Sequence, residues 1–139
     1  EYLRKEMRRM KIVVGYDMTD PAEKAFKTAA EYAKRMKAKL ILIASLVGGT
    51  KENVEEINAF EKGLRLAHNK AKDLGVECEK HLLMRGNAPG DDLVLYAKEN
   101  DADLIVIGVK KRSKVGKLMF GSTAQYVILE SDCPVLAVK

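Results

Sequence analysis

LIVIGVKKRSKVGKLMFGST, running from Leu104 to Thr123, holds a strand, a basic loop and a helix start in one continuous stretch. Leu104, Ile105, Val106 and Ile107 form an unbroken apolar run, the pattern of a parallel strand buried on both faces. Gly108 ends the run. The twelve residues Val109 to Phe120 carry Lys110, Lys111, Arg112, Lys114 and Lys117, and no acidic residue offsets them. Gly121, Ser122 and Thr123 then open an apolar-periodic stretch of helical spacing. Unpaired backbone N–H groups and the positive end of a helix dipole at Ser122 and Thr123 attract an anion, and the five cationic side chains lie just upstream. A phosphate fits that description.

Composition bounds what such a loop can belong to. With 139 residues, 47% of them hydrophobic, the chain is expected to be a single domain that buries a core without metal or disulfide support. Cys78 and Cys133 lie far apart with no metal-ligand spacing, and they read as reduced core thiols. No apolar stretch approaches the roughly 18 residues that span a bilayer, and the opening EYLRKEMRRM lacks the apolar segment of a signal peptide. A soluble, cytoplasmic protein is expected. Residues 1–10 read as a basic tail, and because the chain opens on Glu1 rather than Met, a trimmed or appended start is expected there.

The net charge of +5 is unevenly spread. Glu1 to Lys11 contributes +3 and the loop Val109 to Phe120 contributes +5, which leaves the remainder at −3. An acidic body with one basic loop and one basic tail is not the broad positive face that duplex nucleic acid requires, so nucleic acid is not an expected partner.

Taken in order, the chain alternates strand and helix. Lys11 to Tyr16 (KIVVGY) is a short strand-like run, followed by Asp17, Met18, Thr19 and Asp20. Asp20, Pro21 and Glu23 predict a helix start with Asp20 as the cap. That helix runs to about Met36, its buried stripe drawn from Ala22, Phe26, Ala29, Ala33 and Met36. Leu40 to Ala44 (LILIA) is a second interior strand, broken at Ser45. A helix is predicted over Val54 to Leu74, with Gly75 as its stop, and a more alternating strand near an edge over Val76 to Met84. His68 and His81 fall on these elements and read as structural. Arg85 to Gly90 is turn-rich and leads into a helix beginning near Asp91 and Asp92, whose charges suit the dipole. After the glycine loop and its helix, Pro134 introduces a last edge strand, Val135 to Lys139.

Five strands alternating with four helices predict a doubly wound α/β sheet with right-handed crossovers. In such sheets a ligand sits beyond the carboxyl ends of the strands, where the winding reverses. If that reversal lies between the first and fourth strands, Asp17 and Gly108 face each other across one crevice. A nucleotide would then be sorted by its parts, with ribose or base near Asp17 and phosphates near Gly121 and Ser122.

The sequence resembles the universal stress protein family. Nucleotide-binding members of that family carry a glycine, two residues, a second glycine, nine residues, then glycine and serine or threonine. Gly108, the nine residues between Lys111 and Gly121, and Ser122 fall in that register. The likeness covers nearly the whole chain, with Val13 to Asp17 similar to the family's first strand and acidic end, and Pro134 to Lys139 to its closing strand. It implies a five-stranded parallel sheet in the order 3-2-1-4-5, Rossmann-like and akin to the adenine nucleotide alpha hydrolases. It further implies that Asp17, Ser45, Ile107, Gly108, Gly121, Ser122 and Thr123 stand at nucleotide contacts, with ATP or AMP as ligand and Mg²⁺ as an optional companion of the phosphates.

Lys111 stands where the second glycine of the motif belongs. Its Cβ and long side chain leave two outcomes open: Lys111, with Lys110 or Arg112, replaces backbone N–H contacts by charge and holds phosphate, or the loop closes differently and ATP is not retained. The stretch RSKVGKLMFGSTAQ resembles a recurrent variant within the same family.

The loop carries no His, Glu or Asp to serve as a base. A sensor or binding protein is therefore expected, with two alternatives: a nucleotide-free stress protein acting through partner contact, and a slow ATPase. The short apolar edge Val135 to Val138 invites pairing with a second copy, and the family resemblance implies a homodimer built there.

Overall fold

The computed structural model describes residues 8–47, 54–110 and 120–139. Within them, β1 (Lys11–Gly15), α1 (Asp20–Met36), β2 (Lys39–Ser45), α2 (Val54–Asp73), β3 (Cys78–Leu83), α3 (Pro89–Glu99), β4 (Leu104–Gly108), α4 (Ser122–Glu130) and β5 (Val135–Val138) follow in order. The strands pair in parallel in the order β3-β2-β1-β4-β5, the arrangement the family resemblance implies.

Central strands have to be apolar on both faces, and the two continuous runs supply exactly that pattern of burial. Val13 lies beside Ile41 on one side and Ile105 on the other, all three fully or almost fully buried. Ile12, Val14, Leu40, Leu42 and Val106 point to the opposite face, where α1 and α2 cover them. Val13, Ile41, Ile43, Ile105 and Ile107 meet Leu93 and Ala97 of α3 and Ala124 and Val127 of α4. On α1 the buried residues are Ala22, Ala25, Phe26, Ala29, Ala30 and Ala33, so the helix packs its backbone close to the sheet. Met36, expected in that stripe, is instead exposed, because the chain turns away at Lys37 in a left-handed conformation with φ 52°.

Several boundaries differ from the sequence expectation, and three of them have a clear local cause. Thr19, not Asp20, caps α1: its extended backbone lets Oγ1 accept from the Ala22 N–H at 3.4 Å, and Asp20 becomes the first helical residue. Helix α3 begins at Pro89, two residues before Asp91, since proline's fixed φ and missing N–H suit the first turn. Strand β3 is shorter than Val76 to Met84 because Val76 belongs to the stop of α2. There Gly75 takes φ 78°, and the Val76 N–H reaches back to the Ala71 carbonyl at 2.9 Å.

His68 ties α2 to β3, its Nε2 lying 2.9 Å from the Cys78 carbonyl oxygen. Burial pushes the Cys78 thiol up to about 12, so it stays protonated and packs as a small apolar side chain. Among the described residues no helix is long and apolar enough to cross a membrane.

Candidate functional site

The chain leaves β1 for a helix on one face of the sheet and β4 for a helix on the other, and the two strands are neighbours. Their carboxyl ends therefore part, and a cleft of about 1070 Å³ opens between them. Asp17, Ser45, Ile107, Gly108, Gly121, Ser122 and Thr123 all line it, as does Lys110. Lys111 and Arg112 lie outside the described residues, together with the rest of the stretch 111–119.

Chemistry changes along the cleft from β2 towards α4. The β2 end is mostly apolar, lined by Ile43, Ala44, Leu46, Val47 and Phe60 of α2, with the Ser45 hydroxyl and the Glu56 carboxylate of α2 among them. Asp17 follows at the end of β1. Its Oδ1 accepts from both the Thr19 hydroxyl, at 2.5 Å, and the Thr19 N–H, at 3.2 Å. Thr19 thus caps α1 and fixes the carboxylate at once. Met18 between them holds φ 68°, a left-handed backbone rare for a long side chain, and Gly63 makes room for it. A Cβ on Gly63 would stand 2.1 Å from the Met18 sulfur. Below this turn Tyr16 is buried, donates its hydroxyl to Glu23, and meets Phe26 edge-on with ring centres 6.0 Å apart.

The far end of the cleft is the start of α4. Gly121 caps it without a side-chain hydrogen bond, and Ser122, Thr123 and Ala124 of its first turn line the cleft. Among the described residues nothing lies within 4 Å of where a Cβ on Gly121 would stand, and its φ of −66° is open to any residue. Neither packing nor backbone strain calls for glycine at this position. Gly108 is the opposite case. A Cβ there would lie 2.2 Å from the Pro21 carbonyl oxygen and 2.3 Å from its carbon, so glycine lets the end of β4 pass directly against the first turn of α1.

Sequence reasoning missed the buried polar centre beneath the cleft. Asp92 on α3 is fully buried. Its Oδ2 accepts from the Ser45 hydroxyl at 2.8 Å, and its Oδ1 from Arg85 Nε at 2.7 Å and Asn87 Nδ2 at 3.4 Å. Arg85 also reaches Glu99 at 2.9 Å, and Glu99 first, then Asp92, raises its guanidinium above the ordinary value. The Arg85–Gly90 connection is thereby bound to the end of β2. Arg85→Ala is expected to cost about 2 kcal/mol of unfolding free energy in urea denaturation, because it strips a buried carboxylate of its cation while Ser45 and Asn87 remain. A loss under about 0.5 kcal/mol would mean that water replaces the guanidinium at no cost.

Comparison with known proteins agrees with this fold. The family model described as the universal stress protein family matches residues 8–139. A universal stress protein of Mycolicibacterium smegmatis is 32% identical over 136 residues, covering 92% of this chain and 96% of that one. A solved universal stress protein from Archaeoglobus fulgidus superposes with a TM-score of 0.84 at 39% identity, over 96% of this chain and 100% of that chain. Another structure from Archaeoglobus fulgidus, of the universal stress protein in complex with dAMP, gives a TM-score of 0.80 at 34% identity, over 96% of this chain and 99% of that chain. With the family pattern running from Arg8 to the last residue and the sheet order in agreement, the chain belongs to the universal stress protein family.

Proposed function

We propose that the protein binds an adenine nucleotide, ATP or AMP, in the cleft between β1 and β4 and acts by binding rather than by turnover. The observation that carries this reading is the sequence of chemistries along a single cleft: an apolar wall at the end of β2, the carboxylate of Asp17, then the open N-terminus of α4. An apolar wall takes a base, a carboxylate accepts from ribose hydroxyls, and free N–H groups at a helix start take phosphate. Gly121, Ser122 and Thr123 would hold the phosphates with Lys110 beside them, Gly108 and Ile107 would floor the middle, and Ser45 would face the base. The dAMP complex of the Archaeoglobus fulgidus relative supports the ligand class.

The test is to release bound small molecules from the purified protein with denaturant for mass spectrometry, and to titrate the stripped protein with ATP, AMP and inorganic phosphate at two salt concentrations. Saturable binding of AMP or ATP, tighter than phosphate alone, is the expected result. Heat only from phosphate, vanishing at high salt, would reduce the cleft to a nonspecific anion trap.

The protein is further proposed to form a homodimer through β5. Among the described residues that strand pairs only with β4, which leaves its outer edge for a second copy, and Ile128 and Leu129 of α4 are exposed, the latter by 78%. Sedimentation at micromolar concentration should show a dimer, and a monomer there overturns this arrangement.

A further inference from the structure

We propose that Asp92 sets the hydrogen-bonding polarity of Ser45 and thereby selects a 6-aminopurine over a 6-oxopurine, an assignment that rests on the nucleotide reading above. A serine hydroxyl has one proton to give and two lone pairs to receive with. Ser45 gives its proton to Asp92 Oδ2 at 2.8 Å. The carboxylate returns none, because a carboxylate only accepts and its other oxygen is already taken by the donors of Arg85 and Asn87. Asp92 is fully buried, so water does not compete for Oδ2.

Ser45 therefore meets anything in the cleft as an acceptor only. It stands at the end of β2, where Ile43, Leu46 and Phe60 make the wall suited to a base. An exocyclic amino group on the base donates to such an oxygen. A carbonyl oxygen in the same place opposes it, lone pair to lone pair, and leaves both groups unpaired in a buried site. Asp92 touches no ligand in this scheme. It is a positioning residue, and Arg85 and Asn87, by donating to Oδ1, leave Oδ2 to Ser45.

Calorimetric titration of the full chain with AMP and with IMP tests the assignment, the readout being the ratio of the two affinities. The wild-type protein is expected to prefer AMP at least tenfold. In Asp92→Asn the Arg85 donors retain the amide oxygen, so the NH₂ group turns to Ser45 and donates to it, and the serine proton is released towards the cleft. The preference is then expected to fall to unity or to reverse. Ser45→Ala, which keeps the Arg85 pair, removes the acceptor and should bring the ratio close to one, so the proposal is still tested if the Asn variant fails to fold. Equal weakening of AMP and IMP in both variants, with the ratio unchanged, would make Asp92 a purely structural group and overturn the proposal alone. A wild-type protein that binds AMP and IMP equally also overturns it alone. Binding of neither nucleotide by the wild-type chain overturns the nucleotide reading and this proposal together.

Discussion

Gly108→Ala is expected to lower the unfolding free energy by about 4 kcal/mol, above the usual 1–3 kcal/mol for overpacking, because the obstruction is main chain rather than a side chain that can swing aside. The added methyl would start 2.2 Å from the Pro21 carbonyl oxygen, 2.3 Å from its carbon and 2.8 Å from its Cβ. Relief requires moving either the end of β4 or the first turn of α1. The first is pinned by its ladder to β5 and the second by the Thr19 cap. A domain of this size should lose about 12 °C in melting temperature, read by circular dichroism. Gly15→Ala is the internal control: its nearest obstruction is the Leu93 Cδ2 at 2.9 Å, the far end of a mobile side chain, and the cost should stay near 1 kcal/mol. If Gly108→Ala melts within about 2 °C of the wild-type protein, the close approach of β4 to α1 is not what demands glycine there.

That expectation also separates what the sequence disclosed from what it hid. The strands were legible because Leu40 to Ala44 and Leu104 to Ile107 are apolar at every position, which only a strand covered on both faces tolerates. The place of the cleft followed from the alternation of strand and helix, and seven of the residues expected in it do line it. Gly108, however, was expected at a nucleotide contact by resemblance alone, and the neighbour that demands glycine there proves to be Pro21, which the chain brings there only by folding. Asp92 was hidden for a related reason. An acid in the first turn of a helix is accounted for by the dipole, so nothing local distinguishes Asp91, which is exposed, from Asp92, which is fully buried. What buries Asp92 is the connection after β3 laying Arg85 and Asn87 across it, and no spacing in the chain announces that. Thr19 was passed over because Asp20 offers an equally good capping side chain, and only the extended backbone of Thr19 settles which of them stands outside the helix. Lys111 and Arg112, which carried much of the charge expected at the phosphates, lie outside the described residues. The start of α4, whose Ser122 and Thr123 line the cleft, is the part of the expected anion site that falls within the described residues.

Gly121→Asp should leave the fold intact and abolish most of the affinity for a nucleotide phosphate. Aspartate is a better helix cap than glycine by a few tenths of a kcal/mol, it interacts favourably with the dipole of α4, and its Cβ would meet nothing within 4 Å among the described residues. Thermal stability is therefore expected to hold or rise slightly. Its carboxylate, however, would take up the N–H groups that Ser122 and Thr123 offer, and it would add a negative charge about 6 Å from the phosphate. At an effective dielectric of about 20 that separation costs roughly 3 kcal/mol per unit of phosphate charge, so AMP, whose phosphate carries between one and two charges, should lose at least about a hundredfold in affinity. Adenosine, which keeps base and ribose but carries no charge, should bind the variant and the wild-type protein within about threefold. The AMP deficit should also shrink as salt is raised, since screening acts on the repulsion and not on the apolar wall. Calorimetry with the two ligands at two ionic strengths reads all of this. If AMP binds the aspartate variant within about threefold of the wild-type affinity while the protein remains folded, the phosphates are not at the start of α4, and the orientation of the nucleotide along the cleft has to be reversed.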